Sequence, residues 1–250
     1  SENQAAWHPK YRSKFDSIPQ TKKNKSKYKN VITLGIGGSF EGPKLLIESL
    51  HDSSSDINHI FITGSDAYEF KDKVNNLNPD ETIFIVSSKS FTTDETLETL
   101  KEAITWSGNI EKFIAITANK EEAAKYNIKE IIEFDKEIGG RYSIWSDINL
   151  PALYGPKSNF DPKLFLKGGH QADLDIQNNN DYLNFLKILS FGDIWFNNFD
   201  GKNTRAILSY SWKLRSFADY AQQLEMESLG KHPSQNSEYK NTGQIVFGGY

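Results

Sequence analysis

Short apolar runs recur along the first half of the chain and predict buried β-strands. They begin near Val31, Ile60, Ile83, Phe113 and Ile131 and are rich in β-branched or aromatic residues. The segments between them carry apolar residues at helical spacing, so strands and helices alternate. This alternation predicts an α/β fold, a doubly wound parallel sheet covered on both faces. Open sheets of this class bind ligands at the carboxyl ends of their strands, so the loops there are candidate binding segments.

The second half of the chain has a different pattern. Residues 155–180 contain Pro156, paired glycines at 168–169 and three asparagines at 178–180, and this composition predicts a loop-rich connection. An aromatic helical pattern follows from Tyr182 to Phe199. The lysine cluster at 22–29 indicates a solvated linker.

A loop rich in hydroxyls follows the strand that begins at Ile83. A helix is predicted next, and Thr92 with Glu95 three residues later has the spacing of a capping box. Hydroxyls, an ammonium group and the free N–H groups of a helix start suit a phosphate. A Ser/Thr-rich cap that contacts only water has the same pattern, and Asp94 and Glu95 count against an anion. The candidate ligands in this loop are Ser88, Lys89, Ser90, Thr92 and Thr93.

A glycine-rich turn follows the strand that begins at Val31. Gly35, Gly37, Gly38 and Gly42 allow backbone to come close to a ligand, because no Cβ intervenes. The segment lacks the Gly-Lys-Ser/Thr ending of a P-loop and the third glycine of a dinucleotide fingerprint. Glycine turns after strands are common, so the turn alone assigns no ligand.

Two further segments carry charged candidates. Arg141 follows two glycines within an aromatic run and suits an oxyanion, although stacking on Trp145 or Tyr142 explains it equally well. Near the end of a later helix, Gln223 and Glu227 are neighbours one turn apart. The negative end of the helix dipole favours the protonated form of a carboxyl group there, which suits a proton carrier. An exposed Glu at a frayed helix end is the alternative.

Composition narrows the function classes. The chain of 250 residues contains no Cys, which excludes disulfides and thiolate metal sites and is compatible with the cytoplasm. Its five His residues lack ligand spacing, so we expect no bound metal. A net charge of −4 predicts no general affinity for nucleic acid, and no apolar stretch or signal-peptide pattern points to a membrane. Met226 is the only methionine, so we expect a processed or partial chain.

Four of these segments, in this order, resemble the glucose-6-phosphate isomerase family, and Glu2-Asn3-Gln4 resembles a further family segment. The resemblance is strong over residues 31–150 and from about Arg205 onward, and thin between them. The four segments are Gly35-Ile-Gly-Gly-Ser-Phe-Glu-Gly-Pro43, Ser88-Lys-Ser-Phe-Thr-Thr93, Gly139-Gly-Arg-Tyr-Ser143 and Met226-Glu-Ser-Leu-Gly-Lys231.

The resemblance implies a function and a role for each candidate residue. The activity would be interconversion of glucose 6-phosphate and fructose 6-phosphate through an enediol, which requires no metal or nucleotide cofactor. Glu227 would carry the proton and Arg141 would stabilise the enediolate. Gln223 would orient the sugar. Gly38 and Ser39 would line the sugar, and the phosphate would be held by Ser88, Lys89, Ser90, Thr92 and Thr93.

The resemblance also implies an organisation and a partner. Residues 1–30 would be an N-terminal segment and linker, 31–150 a first sugar-isomerase domain, 151–204 connecting loops and helices, and 205–250 the start of a second, similar domain. Family chains are longer, homodimeric and cytoplasmic, and they carry a ring-opening His and a C-terminal Lys beyond this segment. We therefore expect poor turnover of the cyclic sugar by the chain as given. Departures from the family pattern fall at Asp147, Asn149, Leu229 and Gly249-Tyr250.

Two alternatives stay open at this point. One is a sugar-phosphate-binding module without turnover, which would share the phosphate loop but has no need of Glu227 or Arg141. The other is an isomerase of a different phosphosugar, such as a glucosamine phosphate, although no amine-handling or glutaminase segment is visible.

Overall fold

A central parallel sheet of five strands organises the computed structural model, which describes residues 8–13, 27–50, 57–153, 161–231, 238 and 243–250. The strands are β1 Asn30–Leu34, β2 Asn58–Ile62, β3 Thr82–Ser87, β4 Phe113–Thr117 and β5 Glu130–Glu133, with β6 Thr204–Leu208 and β7 Ile245–Gly249 in a second sheet. The helices are α1 Pro9–Arg12, α2 Gly38–Leu50, α3 Ala67–Val74, α4 Asp94–Ser107, α5 Lys120–Ala124, α6 Pro162–Asn178, α7 Asn180–Asn198 and α8 Phe217–Leu229.

The strand order of the first sheet is β2-β1-β3-β4-β5, so β2 is added on one side of β1 and β3 on the other, which makes a topological switch point between the parallel strands β1 and β3. Leu34 at the end of β1 is level with Val86 near the end of β3. The loops that follow these two strands therefore meet at the switch point, where sheets of this class bind ligands. They are the glycine turn and the hydroxyl-rich loop of the sequence.

Both faces of the sheet are covered, because successive residues of a strand point to opposite faces and the central strands carry apolar residues toward both. Ile32 and Phe84 face one core cluster, which α3, α4 and α5 close with residues such as Leu100. Ile83 and Ile114 face the other cluster, which residues of 134–150 close. Every residue of β1, β3 and β4 is buried. The predicted doubly wound α/β fold is confirmed.

Among the described residues, the second sheet consists of β6 and β7, which run parallel with α8 between them in the chain. Along β6, exposed residues alternate with half-buried ones, so this sheet lacks a cover on one side within the described part of the chain.

The prediction of a loop-rich connection over 155–180 is wrong for the residues that the structure describes. Residues from Pro162 to Asn178 form α6, and Asp161 caps it by accepting hydrogen bonds from the N–H groups of Lys163 and Leu164. Gly169 lies inside the helix, and a Cβ there would lie 2.6 Å from Arg12 Cδ, so only glycine leaves room for Arg12. The glycine thus serves close packing and not a turn. Residues 154–160, like most of the predicted lysine-rich linker, lie outside the described residues.

Among the helices of the described ranges, none is long and apolar enough to cross a bilayer.

Candidate active site

A cavity lies at the switch point between β1 and β3. The glycine turn and the loop after β3 form its polar side, and residues of 134–148 form its apolar side. Five predicted site residues line it: Gly38, Ser39, Ser88, Lys89 and Thr93. The others that line it are Ile36, Ser87, Thr96, Phe134, Ile138, Gly140, Ser143 and Ile148.

The hydroxyl-rich loop is held rigidly between β3 and α4. Phe91 adopts a left-handed conformation with φ of 52° and is fully buried in the core. Its N–H donates to Ser88 Oγ at 3.2 Å, and Ser88 Oγ lies 3.2 Å from Thr93 Oγ1. The carbonyl of Lys89 accepts hydrogen bonds from Thr117 Oγ1, at the end of β4, and from the N–H of Ala118, which follows that strand. The loop therefore presents its hydroxyls at a defined position.

The predicted capping box of Thr92 and Glu95 is not formed, and the N-cap lies one residue later than predicted. The N-cap of α4 is Thr93, and its side chain makes no capping hydrogen bond. The reason is that the Thr93 hydroxyl is directed to Ser88 and the Thr92 hydroxyl donates to Ser90 Oγ at 2.8 Å. The N–H groups at the start of α4 therefore donate no hydrogen bond to the cap side chain, which suits an anion. Ser90 and Thr92 bond each other and do not line the cavity.

The glycine turn packs directly against the segment that carries Arg141. Ser143 Oγ donates to the Gly38 carbonyl at 3.0 Å, and a Cβ on Gly38 would collide with the Gly140 carbonyl. Gly37 has φ of +56°, and a Cβ there would lie 3.1 Å from Gln223 Nε2 on α8. Glycine is required at Gly37 and Gly38 because two other segments approach the turn.

The three remaining site residues meet beside this turn. Arg141 NH1 donates to Glu227 Oε1 at 3.2 Å, and Gln223 Nε2 donates to Glu227 Oε2 at 3.4 Å. The Arg141 side chain is 12% exposed and that of Glu227 is 38% exposed, so the carboxylate remains reachable while the guanidinium is held. The Arg141 guanidinium also lies over the Tyr142 ring, 4.6 Å from its centroid. Both sequence interpretations of Arg141, oxyanion binding and stacking, are therefore compatible with its position.

Two hydroxyls in the cavity escaped the sequence analysis. Ser87 Oγ and Thr96 Oγ1 are buried, line the cavity and have no hydrogen-bond partner among the described residues. Thr99 and Thr105 of the same helix donate to the carbonyls four residues earlier, as helical threonines commonly do. Thr96 is in the first turn of α4 and makes no such bond, and because an unpaired buried hydroxyl is costly, its hydroxyl is available to a ligand in the cavity. The sequence could have indicated Ser87 as a site residue, because it immediately precedes the predicted ligand Ser88.

No cluster suited to a metal ion occurs here: within the described ranges, no group of three or more His, Asp or Glu side chains is arranged to hold one. The polar groups of the site are hydroxyls, amides, one ammonium, one guanidinium and one carboxylate. This set can bind a phosphate ester at one end and transfer a proton at the other.

Comparison with known proteins agrees with this geometry. Residues 10–250 match the family model of phosphoglucose isomerase. The chain belongs to the phosphoglucose isomerase family. The family resemblance drawn from the sequence motifs is thereby confirmed, and the match also covers the region 151–204 where the motifs were sparse.

Relatives and a solved structure extend the comparison. Glucose-6-phosphate isomerase of Pseudomonas aeruginosa (strain LESB58) is 38% identical over 234 residues, and that of Baumannia cicadellinicola is 36% identical over 232 residues. Each match covers 88% of this chain and 42% of the relative, so the chain spans less than half of their length. The crystal structure of a glucose-6-phosphate isomerase from Chlamydia trachomatis has a TM-score of 0.77 at 24% identity, covering 98% of this chain and 47% of that one. It supports the phosphoglucose isomerase fold of this chain.

Proposed function

We propose that this chain supplies a large part of the active site of a glucose-6-phosphate isomerase. The observation that carries the proposal is the meeting of two groups at one glycine turn. The hydroxyl-rich loop borders the turn at Ser39 in the cavity, and Gln223 of the Arg141–Glu227 group borders it at Gly37. A phosphorylated hexose would span from one group to the other.

The phosphate would bind at the start of α4. Ser88, Lys89 and Thr93 line the cavity, and the helix end adds N–H groups and partial positive charge. The unpaired hydroxyls of Ser87 and Thr96 would complete the polar surface. The family resemblance also makes Ser90 and Thr92 proposed phosphate ligands. Their hydroxyls hydrogen-bond each other, and this bond would be replaced by bonds to the phosphate.

Proton transfer would take place at the other end. In its ionised form Glu227 accepts the proton from one carbon of the substrate and returns it to the neighbouring carbon, because the adjacent carbonyl acidifies the C–H bond. Arg141 lies against Glu227 and would stabilise the negative charge on the enediolate oxygens. Gln223 would orient the sugar beside them, and Gly38 and Ser39 would line it. No metal or cofactor is required for this chemistry.

The pairing of Arg141 with Glu227 favours catalysis over a sugar-phosphate-binding module, which has no need of an acid–base group beside an oxyanion site. For the complete protein we propose two sugar-isomerase domains, with boundaries as the family resemblance implies, and a cytoplasmic homodimer. Ring opening of the cyclic sugar is also proposed for the complete protein.

The phosphate end is tested with the double variant Ser88→Ala, Thr93→Val. Each lost hydrogen bond to a charged group costs about 1.5–3 kcal/mol, so the affinity for inorganic phosphate and for glucose 6-phosphate should fall by roughly 10-fold or more. Isothermal titration of the complete protein measures both affinities. Thr105→Val is the matched control, because Thr105 is an exposed threonine near the far end of α4 whose hydroxyl bonds the Lys101 carbonyl. Equal affinities in the double variant and the wild type would place the phosphate elsewhere.

A further inference from the structure

A buried ionic cluster joins α1 to α6 beside the segment that carries Arg141. Arg12 Nε donates to Asp173 Oδ2 at 2.9 Å, and Arg12 NH2 contacts Asp173 Oδ1, so the pair is bidentate. Both side chains are 10% exposed. The Arg12 guanidinium also lies over the Trp145 ring, 4.8 Å from its centroid. The cluster therefore fixes α1 against the segment 140–145 as well as against α6.

The cluster also fixes the ring of His8. Arg12 NH1 lies 2.6 Å from His8 Nδ1. A guanidinium only donates hydrogen bonds, so Nδ1 must be the acceptor and the imidazole must be neutral. Burial and the nearby Arg12 charge lower the pKa of His8 to about 4, which agrees with this assignment. The orientation of the ring thus depends on Arg12, which is itself held by Asp173.

The neutral His8 ring stacks on Tyr142. The two centroids are 4.2 Å apart, and the planes are inclined by 20°. The Arg141 guanidinium lies over the same Tyr142 ring. Because one face of a ring accommodates one stacked group, His8 and Arg141 occupy opposite faces. Arg141 Nε is buried without a hydrogen-bond partner among the described residues, so the stack and the contact with Glu227 are what hold this guanidinium.

We propose that His8 is a positioning residue for the isomerase reaction: its neutral ring supports Tyr142 from behind and thereby holds the Arg141 guanidinium against Glu227. This inference rests on the proposed function. The group reaches the site from the N-terminal segment, far from the four motifs in the sequence. Its action is on the transition state, because Arg141 contacts Glu227 at the proposed proton-transfer end.

Two substitutions at His8 separate stacking from hydrogen bonding. His8→Phe keeps a planar ring on Tyr142 but loses the acceptor for Arg12, whereas His8→Asn keeps an acceptor but loses the ring. If stacking positions Arg141, kcat for glucose 6-phosphate should fall by about 10- to 100-fold in His8→Asn and much less in His8→Phe, because small displacements of a catalytic group have effects of this size. KM should change little in both variants. The assay uses the complete protein that contains this sequence.

If His8 only anchors α1, the two variants should differ in stability and not in kcat. His8→Phe would then be the less stable variant in thermal unfolding, and kcat of the folded fraction would be unchanged in both. That result, or equal kcat values for the two variants, overturns the inference. If His8→Asn fails to fold, Tyr142→Phe and Tyr142→Leu repeat the comparison, since only the first keeps the ring. A wild-type protein without isomerase activity would instead refute the proposed function, so the two failures are distinguishable.

Discussion

The two parallel sheets follow the same β-α-β pattern but differ in how they are covered. In the first sheet, β1, β3 and β4 are buried at every position. The second region comprises α7, β6, α8 and β7. There, β6 alternates between exposed and half-buried residues, and α7 has no buried residue although it is rich in aromatic side chains. The first sheet is therefore a rigid scaffold, whereas the second region exposes apolar side chains such as Phe191, Trp195 and Phe247.

The candidate site joins these unequal regions. The proposed phosphate-binding end lies beside the first sheet, and the proposed proton-transfer residue Glu227 lies on α8 of the second region. The first region holds α8 through Lys44, which pairs with Asp219 at 3.1 Å, and through Glu48, which contacts Ser216. The position of Glu227 therefore depends on contacts between the regions as well as on the packing of α8 against its own sheet.

The largest expected effect concerns the carboxylates of α8. Glu227→Gln keeps the shape of the side chain but removes the basic oxygen, so exchange of the substrate C2 proton with solvent should slow by about 10²–10⁴-fold. NMR of the complete protein with glucose 6-phosphate in D₂O measures this exchange, and affinity for the phosphate ester should stay nearly unchanged.

Glu225→Gln is the matched control for that experiment. Glu225 lies two residues away and pairs with Arg205 at 3.2 Å, within the second region. The exchange rate should change little in this variant. If Glu225→Gln proved the damaging change and Glu227→Gln the silent one, the assignment of the base would be wrong.

Because the two regions differ in burial, shortening a side chain should destabilise the first region more than the second. Phe84 is fully buried and stacks on Phe113 with 4.6 Å between centroids. Phe84→Ala should lower the free energy of unfolding by about 3–5 kcal/mol, because it removes a large side chain from a packed core. Phe185 on α7 is 55% exposed, and Phe185→Ala should change this free energy by only about 0.5 kcal/mol. Urea unfolding of the two variants tests the contrast, which similar losses in both would contradict.

A buried carboxyl group tests how strongly the first region excludes water. Burial raises the pKa of Asp147 from 3.8 to about 6. At Asp147 the folded state therefore binds more protons than the unfolded state between these values, so the contribution of this group to the free energy of unfolding falls as pH rises from about 4 to 6, opposite to the contribution of His8. Asp147→Asn should abolish this fall and be up to about 3 kcal/mol more stable than the wild type above pH 6.

Urea unfolding between pH 4 and 7 measures this effect. Asp72→Asn, at an exposed position of α3, is the control and should keep the wild-type profile. A wild-type stability that rises over this pH range, with Asp147→Asn following the same rise, would show that Asp147 is well solvated.

The smallest expected effect concerns the contact between the regions at the glycine turn. Gly37 and Gly108 have φ of +56° and +60°, so Ala at either position should lower stability by about 1–2 kcal/mol. A Cβ on Gly37 would press on Gln223, whereas a Cβ on Gly108 would meet nothing within 4 Å. Gly37→Ala alone should therefore raise KM for glucose 6-phosphate. Identical kinetics in the two variants would mean that Gln223 does not orient the substrate.

The sequence by itself determined the first sheet and the order of its loops. Parallel strands that are buried on both faces need continuous apolar runs, and such runs are visible without any knowledge of contacts. The motifs that follow β1 and β3 were recognisable for the same reason, because a loop and the helix start after it are local features. The start of α4 was displaced by one residue because the partner of the Thr93 hydroxyl was Ser88 across the loop and not the helix.

Only the tertiary structure decided which distant residues meet. Arg141 and Glu227 are separated by 86 positions, and Arg12 and Asp173 by 161, so no periodicity in the sequence links them. Gly168 and Gly169, which the sequence indicated as loop formers, lie inside α6, and Arg12 and Trp145 pack closely against that helix at Gly169. The physical reason is that apolar patterning reports which face of an element is buried, whereas the partner on that face is set by how the elements pack.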